Sequence, residues 1–173
     1  MSTALSRERL RKLINKKPPL IEGYMNLDEQ LQPNGFDLTI RDISVLQSPG
    51  VITVDNSQRV VSDLSPLMFD GTGYIDLPPG VYSITYNEVV NLPLDVMALA
   101  TPRSSLLRCG VTVNTAVWDA GYCGRSQSLL VVYHPEGFRL QQNARVLQLV
   151  FLGLDGQTEG YNGTYQGENI NLV

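Results

Sequence analysis

Apolar positions keep a helical spacing only near the start of the chain. In Ser6-Arg-Glu-Arg-Leu10-Arg-Lys-Leu13-Ile14-Asn-Lys16-Lys17-Pro18-Pro19, residues Leu10, Leu13 and Ile14 share one face, which predicts a single short amphipathic helix. Ser6 suits an N-cap, Glu8 and the lysines suit the two ends of the dipole, and the proline pair stops the helix. Its expected job is packing. Beyond it the period is two. Short β-branched or aromatic runs recur at 51–54, 80–86, 96–99, 111–113, 129–133 and 145–151, separated by Ser-Pro-Gly, Pro-Pro-Gly and Pro-Glu-Gly. The pattern predicts an all-β chain of jelly-roll or barrel type behind one leading helix. The last twenty residues break it: 153–168 is polar, Gly-rich and punctuated by tyrosines, which fits either a frayed tail or an arm that orders over a ligand.

A chain of 173 residues fits one domain, which at this size buries roughly 70% of the surface its unfolded form exposes. We therefore expect a single domain over 1–173, with 1–22 as helix and lead-in and 153–173 as a flexible C-terminal arm. Hydrophobic residues make up 43%, too many for a disordered chain, and 10 prolines with 15 glycines argue against long helices. No apolar run has the length of a membrane span, and no signal-peptide core is visible, so the expectation is a soluble cytoplasmic protein. The net charge of -4 leaves no basic footprint for nucleic acid. All three lysines lie within the first 17 residues and every later positive charge is an arginine. A polyanionic ligand must then be met by a local arginine cluster, with a metal ion as a further counter-charge. Cys109 and Cys123 form no disulfide framework or Cys-x-x-Cys site and read as small buried hydrophobes. His134, the single histidine, precedes a Pro-Glu-Gly turn and reads as a solvated turn residue.

Two segments could carry chemistry. Arg103-Ser104-Ser105-Leu-Leu-Arg108 sets two guanidiniums around two hydroxyls, a composition suited to phosphate oxygens, although a polar surface turn has the same composition. Asp119 follows an apolar stretch and precedes Ala-Gly-Tyr122-Cys-Gly124, which places it at a strand or hairpin end, as a pocket-edge carboxylate or a turn initiator. P-loop, dinucleotide-binding, nucleophile-elbow and zinc-deaminase motifs are absent from the sequence.

Taken in order, the motifs resemble those of the dCTP deaminase and dUTPase superfamily, in particular its archaeal-type dUTPases. Leu31-Gln-Pro-Asn-Gly-Phe-Asp37-Leu38 resembles the entry motif, the Arg103–Arg108 block the phosphate-binding motif, and Trp118-Asp119-Ala-Gly-Tyr122-Cys-Gly124 the Asp-x-x-aromatic-x-Gly motif. Arg145-Val-Leu-Gln148-Leu-Val-Phe resembles the strand whose Gln meets substrate, and Thr164-Tyr-Gln166-Gly the C-terminal arm. The resemblance implies a distorted jelly-roll of the dUTPase-like β-clip type, a homotrimer with interfacial active sites, and a nucleoside triphosphate carrying Mg2+ on its phosphates. It implies that Arg103, Ser104, Ser105 and Arg108 meet the triphosphate, with Arg103, Ser104 and Arg108 coming from a neighbouring subunit. Asn114 would read the pyrimidine and Tyr122 pack at the deoxyribose, while Gln148, Tyr161 and Gln166 complete the phosphate shell. Thr164 and Glu168 depart from the Lys and Gln that relatives often carry there.

The superfamily runs two chemistries. Its deaminases place a glutamate ten residues after the motif Asp, and here that position is Leu129, with no carboxylate among Arg125, Ser126, Gln127 and Ser128. The interval from Arg103 to Asp119 is also closer to a dUTPase hairpin. The expected activity is therefore hydrolysis of dUTP to dUMP and pyrophosphate, with Asp119 activating water at the α-phosphate. The alternatives are dCTP deamination and a non-catalytic nucleotide-binding trimer.

Overall fold

The N-terminal helix forms where the apolar spacing places it. In the computed structural model, which describes residues 3–170, Ser6 caps it by accepting a hydrogen bond from Arg9 N, and Leu10, Leu13 and Ile14 are buried. In chain order the elements are β1 (Thr3–Ala4), α1 (Arg7–Ile14), β2 (Ile21–Glu22), α2 (Leu27–Gln30), β3 (Leu31–Gln32), β4 (Gly35–Leu46), β5 (Leu64–Leu67), β6 (Tyr74–Leu77), β7 (Gly80–Tyr86) and β8 (Val89–Asn91). There follow β9 (Val96–Pro102), α3 (Ser104–Arg108), β10 (Val111–Asn114), β11 (Cys123–Gly124), β12 (Gln127–Val132), β13 (Phe138–Gln141) and β14 (Arg145–Gly153).

All the strand pairings are antiparallel. The main sheet runs β1-β14-β4-β7-β12-β10, with β3 and β5 also on β4 and β9 on β14; β11-β8-β2 and β13-β6 form smaller sheets. Such a curled, mostly β arrangement is a distorted jelly-roll. Strand β4 makes the corner. Its first half pairs with β14 and its second half with β7, and the register shifts between Ile40 and Asp42. Phe36, Leu38, Ile40 and Ile43 on β4 are fully buried and meet Leu10, Leu31, Tyr86, Leu149 and Phe151 in one core.

Glu88 adds a polar element to that interior. Its carboxylate accepts hydrogen bonds from Gln30 Nε2 (2.6 Å), Thr39 N (2.9 Å) and Thr39 Oγ1 (2.6 Å), and Gln30 also donates to Asp37 O (2.9 Å). Burial pushes Glu88 above the usual carboxylate range, against these donors. The group ties α2, β4 and the β7–β8 turn together.

Three expectations are corrected. Residues 51–54 form no strand: Val51 makes one bridge to Val60, and Ile52 and Val54 are exposed. The longest strand among the described residues, β4, falls outside the expected runs, although Phe36-Asp-Leu-Thr-Ile40 alternates apolar with polar residues; its polar members Asp37 and Thr39 are buried like the rest of its first half. Cys109 is exposed and Cys123 only half-buried, as both occupy turn and edge positions outside the core.

Candidate active site

Asp119 sits in a loop tied down along its length. In the β10–β12 hairpin, Asn114 stands opposite Leu129. The chain leaving β10 bridges to β9, where Trp118 N donates to Ala98 O (3.1 Å) and Ala98 N to Trp118 O (2.9 Å). The buried Trp118 indole donates to Ser126 Oγ at 3.0 Å, closing the loop. Gly121 N and Tyr122 O pair with Leu92 at 3.1 and 2.8 Å, and Tyr122 N donates to Asp119 O at 3.1 Å. Gly121 has φ +81°, and a Cβ there would lie 2.6 Å from Gly160 Cα, so backbone and neighbour alike require glycine. Trp118, Ala120 and Tyr122 turn inward while Asp119 stays exposed.

Beside this loop is a cavity of about 860 Å³, walled by Asn114, Asp119, Tyr122, Leu129, Tyr161 and Glu168 among others. Its remaining lining is mostly apolar, including Ile52, Val60, Val61 and Leu64. A half-apolar cleft with one exposed carboxylate and a hairpin backbone at its rim suits a flat heterocycle and sugar. The exposed loop at 51–61 thus has a place in the cavity wall.

The C-terminal segment docks on the same loop. Tyr161 N donates to Ala120 O (2.8 Å), and the Tyr161 ring meets Tyr122 edge-on with centroids 5.7 Å apart. Gln166 bridges the loop backbone, donating to Gly121 O and accepting from Cys123 N, both at 3.0 Å. Gly167 N donates to Cys123 O (2.8 Å), Arg125 N to Glu168 O (2.9 Å), and Arg125 Nη1 to Asn169 O (2.6 Å). Tyr122 OH donates to Glu168 Oε1 at 2.8 Å. Burial drives the Tyr122 hydroxyl upward, reinforced by the Glu168 charge, and burial also raises Glu168 despite that hydrogen bond. Glu168 is the functional candidate that sequence reasoning left out. A carboxylate beside a triphosphate is unfavourable, and only the folded tail reveals its partner.

Arg103, Ser104, Ser105, Arg108 and Gln148 stand elsewhere on the protomer. Arg103 precedes α3, its backbone N donating to Val146 O at 3.1 Å, and Arg108 Nη1 returns to Ser104 O at 3.3 Å. Gln148 lies opposite both Asp37 on β4 and Thr101 on β9. Within one protomer, then, the structure groups Asn114, Asp119, Tyr122, Leu129 and Tyr161 around the cavity, seats Gln166 on the loop behind them, and keeps the arginine-rich set apart. Among the described residues no group of three His, Cys, Asp or Glu side chains could hold a metal, and no helix is long and apolar enough to cross a membrane.

Residues 4–154 match the family described as dCTP deaminase-like. The chain belongs to that family. It is 52% identical over 168 residues, 96% of this chain and 98% of the other, to the probable deoxyuridine 5'-triphosphate nucleotidohydrolase of Methanosarcina mazei. A protein of the same name from Archaeoglobus fulgidus is 49% identical over 166 residues, 96% of this chain and 97% of the other. Among solved structures, the 2'-deoxycytidine 5'-triphosphate deaminase of Agrobacterium tumefaciens superposes with a TM-score of 0.64 at 22% identity, over 88% of this chain. The present chain spans about half of that protein, covering 48% of it, and the likeness is one of fold.

Proposed function

We propose that this chain is a soluble, cytoplasmic dUTP diphosphatase that converts dUTP to dUMP and pyrophosphate at sites shared between protomers of a homotrimer. The observation that carries the reading is the pairing of Asn114 with Leu129 beside Asp119. The cavity offers the pyrimidine a backbone edge and an apolar side chain, and its hairpin supplies no carboxylate to work on the ring. Relatives about half identical over nearly their whole length carry a dUTP hydrolase name, which supports the same choice.

In this mechanism Asp119 orients a water molecule and takes its proton as the oxygen attacks the α-phosphorus. Tyr122, held by Glu168, Tyr161 and the Leu92 backbone, packs near the deoxyribose and disfavours a 2'-hydroxyl. Arg103, Ser104, Ser105 and Arg108, with Gln148, approach the phosphates from a neighbouring protomer; their distance from the cavity of their own protomer agrees with that assignment. Mg2+ carried on the substrate's phosphates would supply charge neutralisation there, beside Arg103 and Arg108. Guanidiniums and hydroxyls fit phosphate oxygens, and no protein metal cage is needed.

The protein is incubated with Mg2+ and either dUTP or dCTP, and pyrophosphate and the product base are measured. Pyrophosphate from dUTP alone is expected. Asp119→Asn should keep most nucleotide affinity while turnover falls by about 10²- to 10⁴-fold, the usual share of a positioned base; unaltered turnover removes Asp119 from the mechanism. A second reading, deamination of dCTP, draws on Glu168, which puts a carboxylate into the cavity from the tail. Uridine nucleotide formed from dCTP, and lost in Glu168→Gln, would replace the first reading by this one.

A further inference from the structure

Asp37 is a buried carboxylate that the mechanism above does not use. It lies on β4 with its side chain 3% exposed, and its Oδ2 is 3.3 Å from Arg103 Nε and 3.6 Å from Arg145 Nη1. An isolated charge so buried is costly, so its place is explained by the partners it holds. The partners reach further out: the Arg103 and Arg145 side chains are 33% and 31% exposed. One negative charge shared by two positive ones leaves the group net positive. Its guanidiniums stand toward solvent and its carboxylate lies beneath them.

The atoms in contact also matter. Arg103 meets Asp37 through Nε, the nitrogen nearest the chain, which leaves the two terminal nitrogens for a ligand, and these form the fork that grips phosphate oxygens. Arg145 Nη1 is further tied to Glu29 O, fixing that side chain from a second direction. Gln148 stands directly opposite Asp37, so its amide shares this face, and a Cβ on Gly35 would come within 3.1 Å of its Nε2. Two guanidiniums and an amide therefore surround one buried carboxylate, next to the start of α3.

We propose that Asp37 is a positioning residue that holds Arg103 and Arg145 as a preset pair for adjacent phosphate groups, with Arg145 as a further phosphate contact. The proposal rests on the reading that this face meets the triphosphate. A flexible arginine loses rotamer freedom when it binds, and a side chain already fixed by Asp37 has lost that freedom beforehand. Asp37 itself lies too deep to touch the ligand.

The test is calorimetric titration of the full-length protein with inorganic tripolyphosphate, alongside thermal melting to establish folding. Because this probe has no base or sugar, it reads the site even if the reaction is not dUTP hydrolysis. Loss of dUTP turnover with intact tripolyphosphate results would sink only the functional reading. The native protein should bind the probe, and Asp37→Asn and Arg145→Gln should each weaken binding about tenfold. If Asp37 acts through the two arginines, the loss from Asp37→Asn is smaller in an Arg103→Gln background than in the native protein and vanishes in an Arg103→Gln/Arg145→Gln background, whereas a merely structural Asp37 gives losses that multiply. Should Asp37→Asn not fold, Asp37→Glu takes its place: it keeps the charge, displaces it by one methylene, and should show the same loss and non-additivity. No binding by the native protein, unchanged affinity in Arg145→Gln or in the folded Asp37 variant, or multiplying losses would each overturn the proposal.

Discussion

Glu168 shows how one side chain couples the tail to the site. Its carboxylate accepts the Tyr122 hydroxyl while its backbone oxygen accepts Arg125 N, so seating the tail and orienting the Tyr122 ring are one event. Burial raises Glu168 above its ordinary value, which means the seated tail favours the protonated acid. A raised native value gives a contribution that is complete below the unfolded value of about 4.3 and is lost as pH rises through the elevated native one. Hydrogen exchange, corrected for intrinsic rates, should find the amides of Arg125 and Gly167 better protected at pH 4 than at pH 8. In Glu168→Gln the protection should be flat over that range. A native profile without this slope would mean that Glu168 does not titrate in contact with Tyr122.

Among the elements, the β3–β4 hairpin decides where Asp37 and its two arginines stand. Leu31 pairs with Phe36 and Gln32 with Gly35, so Pro33 and Asn34 form a two-residue turn that starts β4 in the register placing Asp37 opposite Gln148. Gly35 has no space for a side chain: a Cβ would stand 2.1 Å from Leu149 O. Gly35→Ala should therefore push β4 off β14 and cost about 3 kcal/mol, the upper end for overpacking, because the opposing atom is backbone and cannot swing aside. Chemical denaturation checks this, and a loss below about 1 kcal/mol would show that the strands separate easily here. Four of the predicted runs became strands nearly as read, at β7, β9, β10 and β14, and β12 began two residues early. Their β-branched and aromatic runs, bounded by Gly and Pro turns, carry the strand signal locally. The first half of β4 alternates as well, at Phe36-Asp-Leu-Thr-Ile40, but its polar positions Asp37 and Thr39 are buried, and the partners that satisfy them, Arg103, Arg145 and Glu88, lie far away in the chain.

At the scale of the molecule, Asp119 lines the cavity and Arg103 lies outside its lining, and the proposed reaction brings them together across a subunit boundary. A mixing experiment tests this. Asp119→Asn and Arg103→Gln proteins are each expected to be nearly inactive, yet co-refolded in equal amounts they should recover about a quarter of native dUTP hydrolysis, the share of random neighbouring pairs in which both side chains are native. Recovery near zero would place all catalytic groups within one chain.

Residue order along the chain was enough to specify the capped helix, the all-β class and the segments that carry Asp119 and Arg103. These depend on local spacing, on proline and glycine punctuation, and on short runs of residue types whose chemistry is independent of their neighbours. Tertiary structure decided the rest. That Asp37 lies under two arginines, that Glu168 lies against Tyr122, and that Ile52, Val60 and Val61 wall the cavity all follow from contacts between positions far apart in the chain. The balance between desolvation and charge pairing there is set by folding, and no window of sequence contains both partners.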